Sequence, residues 1–398
     1  MVTKNLNEYC FFALAPNDWD GLWMNRQQLM SRVGVDSSVF YSNGLGFSWD
    51  RARILKEGKV KWAFEERDNV TIAKPPLYLM RYKKNEFADN FVIKKYANAI
   101  KSKLPKAPLI LYVFHPEYVD YIKHIDYDYL VYHCYDDFIS MPGSDAETKS
   151  NEYELCLLAD MIFTSSKANK DRFLLDYSVD ATFIPNGVDF KSFDKASYYL
   201  PESLESMAKE RSSANRKKVG YVGSLNDKVD FSIVSYLVNS ERLKLHDFHF
   251  TGRVNNLSKE NQAIWDGVKN KSNVFYHESA SRELVPSILK NMDVNCIYYD
   301  LSEENYSSSG YPLKLHEYLA SGKPVVSSAI ESVIEFSSVV LIPKNKEEWV
   351  EFIIKATSEP EFAPSNSRQR KMVAQKNDWN NRVEMIKSSI INAIESRK

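Results

Sequence analysis

The sequence predicts an α/β protein of two domains in series, each a parallel sheet covered by helices. Three observations carry that prediction. The chain has 398 residues, more than the ~250–300 at which a single hydrophobic core stops growing. Short apolar runs alternate with amphipathic stretches along most of its length. Those runs are apolar throughout instead of at every second position, as strands buried on both faces must be.

The first alternation starts at residues 9–16 (YCFFALAP), an apolar run that Pro16 and Asn17 turn into a loop. Residues 22–32 then read as a helix. Strands follow at 38–41, 70–72, 109–114, 130–134, 161–164 and 182–184, with helices at 89–103, 147–159 and 168–175 between them. Pro185-Asn186-Gly187-Val188-Asp189 breaks the pattern, and the polar stretch over 191–217 reads as a linker. A second alternation begins at Lys218-Val-Gly-Tyr-Val-Gly223. Its strands are 219–222, 247–251, 274–276, 294–298, 324–327 and 339–342, with helices at 231–239, 281–290 and 313–321. Residues 378–398 form a last helix, expected to cross back to the first domain. The predicted division is therefore 1–196, 197–377 and 378–398. Two such sheets in series direct the carboxyl ends of their strands at an interdomain cleft.

Composition narrows the function classes. With 44% hydrophobic and 26% charged residues, 13 Gly and 15 Pro, the chain is ordinary for a globular protein. A formal net charge of −1 argues against a protein that coats nucleic acid, and no nucleic-acid partner is expected. Cys10, Cys134, Cys156 and Cys296 are scattered, without a C-x-x-C pair or a histidine at metal-ligand spacing. Neither a disulfide framework nor structural zinc is expected, and a cytoplasmic setting fits. Met1-Val-Thr-Lys-Asn-Leu-Asn-Glu-Tyr carries polar residues where a signal peptide needs an apolar stretch. No window approaches the ~18 consecutive apolar residues of a membrane span.

The most informative segment is Ser307-Ser-Ser-Gly310-Tyr-Pro-Leu-Lys314-Leu-His-Glu317-Tyr-Leu-Ala-Ser-Gly322. Ser308, Ser309, Gly310 and Tyr311 form a loop whose backbone N–H groups can approach an anion. Pro312 suits the first turn of the helix that follows, whose N-terminus favours a phosphate. Lys314 adds a full positive charge at that end, unfavourable for the helix dipole unless an anion is near. Glu317 lies three residues on along the same face, where a carboxylate can take both hydroxyls of a ribose.

This segment resembles the donor-binding helix of GT-B glycosyltransferases related to family 4, which reads P-x-K-x-x-E-Y-L-A-x-G-x-P-V-V. The likeness extends to Lys218-Val-Gly-Tyr-Val-Gly-Ser-Leu and to Ile184-Pro-Asn-Gly-Val-Asp189. It implies a GT-B fold, two Rossmann-like domains whose parallel sheets face an interdomain cleft. By the same likeness Gly223 and Ser224 lie near the diphosphate, Lys314 binds it and Glu317 holds the ribose. Arg253, after the strand ending at Thr251-Gly252, is a candidate to neutralise the leaving diphosphate. One position departs from the pattern: retaining members carry a first glutamate where this chain has Ser309, and Glu303 and Glu304 are out of register.

Toward the N-terminus, Asn17-Asp-Trp-Asp-Gly-Leu-Trp23-Met-Asn-Arg26 and Val131-Tyr-His-Cys-Tyr-Asp136-Asp137 resemble bacterial polysaccharide glycosyltransferases of the TuaH/GumK-like kind. That implies work in teichuronic acid, capsule or exopolysaccharide assembly. Asp136 and Asp137 follow a buried strand and are candidates to take the proton of an acceptor hydroxyl, where relatives place a histidine. Inversion and retention both remain open. His115 is a second candidate, while His133 is expected inside its strand. Asp18, Trp19 and Asp20 in the first loop are candidate sugar ligands, since rings stack on sugars and carboxylates bind hydroxyls; Trp packing under the loop is the competing fate.

Two motifs carry no such role. Asp126-Tyr-Asp128 matches a metal-binding D-x-D but precedes a strand, and no catalytic metal is expected. No G-x-G-x-x-G follows a first strand, so a nicotinamide or flavin cofactor is disfavoured; the nucleotide-sugar, of which a UDP-sugar is one candidate, is substrate. Lys94, Lys95, Lys101, Lys103 and Lys106 lie on or after an amphipathic stretch at 87–104, preceded by Arg81-Tyr-Lys-Lys84. They suit either a solvated helix face or a peripheral contact with anionic lipid at the inner face of a membrane. The expected partners are thus a nucleotide-sugar and a glycan or lipid-linked acceptor. A nucleotide-sugar epimerase and a catalytically silent nucleotide-sugar or glycan-binding module are the alternatives.

Overall fold

The computed structural model describes residues 6–47, 61–141, 143–196, 216–302, 310–359 and 366–397. The chain forms two α/β units, Met1–Pro185 with Asn380–Lys398, and Asn186–Trp379.

In the first unit the strands are β1 (Cys10–Leu14), β2 (Ser38–Ser42), β3 (Gly46–Phe47), β4 (Ala63–Arg67), β5 (Val70–Lys74), β6 (Met80–Arg81), β7 (Leu109–Val113), β8 (Tyr129–Cys134), β9 (Met161–Thr164) and β10 (Thr182–Phe183). Eight of them make one sheet in the order β10-β9-β8-β7-β1-β2-β5-β4, and β3 pairs with β6. The central strands β1 and β7 are buried along their whole length, because each is an unbroken apolar run. Pairing is parallel except at β4, which runs antiparallel to β5. This strand departs from the predicted all-parallel sheet. Asp68 and Asn69, both left-handed at φ 50° and 65°, close a two-residue hairpin that returns the chain along β5. Glu65, Glu66 and Arg67 then charge the sheet edge.

Helices Glu86–Lys101, Ala146–Leu158 and Lys167–Tyr177 pack on this sheet through Ile93, Tyr96, Leu155 and Phe173. Each starts at a side-chain cap: Asn85, Asp145 and Ser166 accept from the backbone N–H three residues on. Beneath them Glu152, fully buried, accepts from Arg172 at 2.6 Å, Tyr177 at 3.0 Å and Tyr132 at 3.1 Å. The final helix, Trp379–Ser396, is tied to this unit by Lys387 to Asp36 at 2.7 Å and by Arg397 to Asp160.

The second unit carries β11 (Lys217–Val222), β12 (His246–Thr251), β13 (Val274–His277), β14 (Val294–Ile297) and β15 (Val325–Ser327), parallel in the order β13-β12-β11-β14-β15. Val219, Phe248, Phe250 and Val294 fill its core with Trp265 and Trp349. The strand expected at 339–342 does not form. Leu341 makes one isolated bridge to Val326, and Pro343, without an N–H, offers the ladder nothing further. The unit begins at Asn186 instead of 197: Val188 N–H donates to Asn377, Trp379 N–H to Val188, and Lys290 reaches the Ala196 carbonyl at 2.9 Å. Among the described residues no helix is long and apolar enough to cross a membrane.

Candidate functional site

In the second unit the carboxyl ends of β11, β12 and β14 are adjacent, and the chemistry gathers there. Gly223 ends β11 with φ at 142°, and Gly252 ends β12 with φ at 147°. A Cβ on Gly252 would stand 2.1 Å from the Gly223 carbonyl oxygen. The two loops are thus pressed backbone to backbone, stitched by Leu225 N–H to the Arg253 carbonyl at 2.9 Å. Tyr221 hydroxyl fixes the same turn by donating to the Ser224 carbonyl at 2.8 Å.

The Leu313–Ala320 helix lies over this turn. Tyr318 hydroxyl accepts from Val222 N–H at 2.8 Å and donates to the Val222 carbonyl at 3.1 Å, fixing the helix to the end of β11. Pro312 is its N-cap, and Gly322, left-handed at φ 76°, stops it as expected. Asn186 donates to the Tyr311 carbonyl at 2.7 Å, Tyr311 hydroxyl pairs with His316 at 2.7 Å, and Ser332 donates to the Gly310 carbonyl at 2.9 Å. The loop entering the helix is therefore rigidly held from Gly310 onward; Ser308 and Ser309, with Glu303 and Glu304, lie outside the described residues.

Lys314 crosses Gly223: a Cβ there would meet the lysine Cε at 2.3 Å and Nζ at 2.6 Å. Only glycine tolerates both that approach and that φ. The ammonium lies 5.3 Å from the ring centres of Tyr221 and Tyr299 and donates to Tyr299 hydroxyl at 3.3 Å. Burial works against its charge, but the two phenols and Glu317 together hold its pKa above the ordinary value. The Glu317 carboxylate makes no hydrogen bond among the described residues, and burial pushes its pKa up to about 7 although Lys314 pulls the other way. Arg253 is exposed at the end of β12 and has no ion pair among the described residues. A fixed cation and a carboxylate beside two glycine-ended strands suit an anion with hydroxyls beside it, although the N–H groups of Gly223 and Gly252 are themselves taken by the Thr251 and His277 carbonyls, both at 2.8 Å.

In the first unit β1, β7 and β8 are neighbours, so the loops bearing Asp18, His115 and Asp136 leave one edge of the sheet together. Asp136 is half-buried and its carboxylate accepts from Asp137 N–H at 3.0 Å. Asp137 points inward instead, 4.0 Å from Arg172 in the Glu152 network. Of the two carboxylates, Asp136 is thus the more exposed and Asp137 the buried one. His115 Nδ1 accepts from Glu117 N–H at 3.2 Å, and its ring meets Phe138 edge-on at 4.4 Å. Burial, reinforced by Arg26 and Lys83, pushes its pKa down to about 4, so it is a neutral imidazole at pH 7. His133 is within its strand, paired with Tyr112 hydroxyl at 2.8 Å.

Trp19 does not serve as a sugar platform. Its ring is 3% exposed, packed against Trp23 and Tyr41, and its N–H donates to Asp68 at 3.1 Å. A large apolar ring next to a strand end gains more from burial than from exposure. Asp18 is exposed and accepts from Asn43; Asp20, also exposed, is paired with Arg67 and with Lys74 at 3.1 Å. Asp126 pairs with Lys101 and Asp128 accepts from Leu109 N–H at 2.7 Å, so both aspartates of the D-x-D are structural. Among the described residues no group of three or more His, Cys, Asp or Glu is arranged to hold a metal.

Sequence reading missed two groups. Arg26, 2% exposed, stacks 3.8 Å from the Tyr135 ring and bonds to Asn17, leaving its Nε and Nη1 without partners among the described residues. No short motif announces a buried arginine. Tyr299 is the second residue past β14, and its place beyond a strand's carboxyl end was a usable signal.

Residues 216–359 match the family model described as glycosyl transferases group 1. The "Putative teichuronic acid biosynthesis glycosyltransferase TuaH" of Bacillus subtilis strain 168 is 26% identical over 190 residues, 46% of this chain and 44% of that protein. The match thus spans under half of that relative's length. Among solved structures, a UDP-forming α,α-trehalose-phosphate synthase from Burkholderia xenovorans superposes with a TM-score of 0.69 at 14% identity, over 97% of this chain and 99% of that one. Anabaena Alr3699/HepE in complex with UDP and glucose superposes at 0.66 and 13% identity, over 96% and 99%. Residues 216–359 are thus similar to the glycosyl transferases group 1 model, on a chain that shares the two-unit α/β fold of the trehalose-phosphate synthase it superposes on.

Proposed function

We propose that this protein is a glycosyltransferase moving a sugar from a nucleotide-diphosphate sugar to a glycan or lipid-linked acceptor in bacterial surface polysaccharide assembly. The observation that carries the reading is the Lys314 ammonium crossing Gly223, with the bare Glu317 carboxylate one helical turn on. The diphosphate sits on Lys314 in the space that Gly223 leaves open beside Gly310, with Arg253 at its outer side. Glu317 accepts from the ribose hydroxyls.

Transfer is a displacement at the anomeric carbon. The acceptor oxygen forms the new bond as the bond to the diphosphate oxygen breaks, and the acceptor's proton passes to Asp136. Negative charge collects on the diphosphate, where Lys314 and Arg253 stabilise it without a metal or cofactor. His115, a neutral imidazole at pH 7, binds acceptor hydroxyls beside Asp136. The teichuronic acid glycosyltransferase likeness supports the polysaccharide assignment, and UDP named with a fold relative makes UDP-sugars the first donors to try.

The test is turnover of a panel of UDP-, GDP- and dTDP-sugars with purified protein and membrane-extracted acceptors, with and without EDTA. One donor is expected to yield product of inverted anomeric configuration by NMR, unaffected by chelation. Donor conversion without acceptor indicates an epimerase, and binding without any turnover a silent module; either result defeats the proposal.

A further inference from the structure

We infer that, at the donor site proposed above, the Tyr299 phenol donates a second hydrogen bond to the phosphate oxygen that Lys314 binds. Among the described residues, the tyrosine hydroxyls on the elements of that site are those of Tyr221, Tyr299, Tyr311 and Tyr318. Three are engaged elsewhere. Tyr221 donates to the Ser224 carbonyl at 2.8 Å and Tyr318 to the Val222 carbonyl at 3.1 Å, while Tyr311 is paired with His316 at 2.7 Å. Tyr299 differs from them. Its oxygen accepts from the Lys314 ammonium at 3.3 Å, and its own O–H has no acceptor among the described residues. It is half-buried, whereas the other three rings are buried. A phenol proton without a partner, beside a cation that faces an anion, is a donor in waiting.

The backbone holds the ring in place. Tyr299 pairs with Val229 in an antiparallel bridge. Asp230 N–H to the Tyr298 carbonyl at 2.8 Å and Asp300 N–H to the Lys228 carbonyl at 2.9 Å flank that bridge. An oxyanion lies about 2.8 Å from the ammonium that binds it, and a hydroxyl donor about 2.7 Å from its acceptor. With Nζ and the phenol oxygen 3.3 Å apart, both contacts close on one oxygen as a triangle, and only the O–H has to turn. As the bond from the anomeric carbon to the diphosphate oxygen breaks, its electron pair stays on the diphosphate. A donor already aimed there binds more strongly as that charge collects, and it shares its proton without transferring it.

Tyr299→Phe tests this by sign, because it keeps the ring and removes only the hydroxyl. A hydroxyl that merely parks the ammonium competes with the diphosphate, so its loss would leave affinity unchanged or raise it. A hydroxyl that donates to the diphosphate predicts the reverse. Calorimetric titration with UDP, GDP and dTDP is the assay. Tyr299→Phe should bind the tightest of the three about tenfold or more weakly than wild type, with its circular dichroism and melting temperature retained. Lys314→Met and the double variant complete a cycle, in which the two losses should be less than additive because both groups hold one oxygen. Wild-type or tighter binding by Tyr299→Phe, with Lys314→Met weakened, overturns the inference and leaves the donor site standing. Additive losses put the two groups on separate oxygens and overturn it as well. Undiminished binding by Lys314→Met, or no binding of any of the three by wild type, overturns both the inference and the donor site.

Discussion

Glu317 links donor binding to pH. Burial raises its pKa from 4.5 to about 7, so the folded protein holds a proton there that the unfolded chain releases. A raised acid stabilises the fold fully below the unfolded value, and that contribution is lost as pH rises through the folded one. The difference of about 2.5 units bounds the loss between pH 4.5 and 7 at roughly 3 kcal/mol. Ribose hydroxyls are donors, so they need the ionised carboxylate. At pH 6 about one molecule in ten carries it and at pH 8 about nine in ten, so donor affinity should rise about tenfold across that interval. Isothermal calorimetry with an intact nucleotide-sugar is the assay, because its doubly esterified diphosphate does not titrate in this range. Glu317→Gln should flatten the profile, weaken binding roughly ten- to a hundredfold at pH 8, and raise the melting temperature there. A flat wild-type profile, or the same slope in Glu317→Gln, refutes the reasoning.

Four further outcomes follow from the same geometry. Gly252→Ala drives a Cβ into the Gly223 carbonyl, a backbone atom that cannot yield, and should cost ~3 kcal/mol or more by chemical denaturation. Gly223→Ala meets only the flexible end of Lys314 and should cost ~1–2 kcal/mol while losing donor affinity; equal stability losses would contradict this ranking. Asp136→Asn should cut turnover ~10²–10⁴-fold with donor binding unchanged by calorimetry, whereas full activity would remove Asp136 from the chemistry. Arg26→Met should raise the pKa of His115 from about 4, followed by NMR titration, because the guanidinium adds to the burial that depresses it; no movement would mean that charge is not felt at the ring.

The unbroken apolar runs at β1 and β7 made the parallel sheet legible, and Gly322 marked its helix end correctly. Less legible were features decided by tertiary contact. The β4 strand alternates weakly and exists because Asp68 and Asn69 adopt left-handed backbone, which local composition does not announce. Residues 339–342 look like a strand but reach only one bridge before Pro343. In the site, Lys314 and Gly223 stood out through their motifs, yet their close approach depends on a helix fixed by Tyr318. Asp136 and Asp137 are indistinguishable neighbours in sequence, and only the position of Arg172 separates them. Trp19 was drawn inward by Trp23 and Tyr41, a packing choice that a single sequence cannot decide.

The most direct measurement is calorimetric titration of wild type and Lys314→Met with the nucleotide-sugar that binds best. Removing the ammonium should weaken binding at least about tenfold, the low end for a hydrogen bond to a charged group, while the fold, read by circular dichroism and melting, stays intact. Undiminished affinity in a folded Lys314→Met protein would place the diphosphate elsewhere and contradict the account.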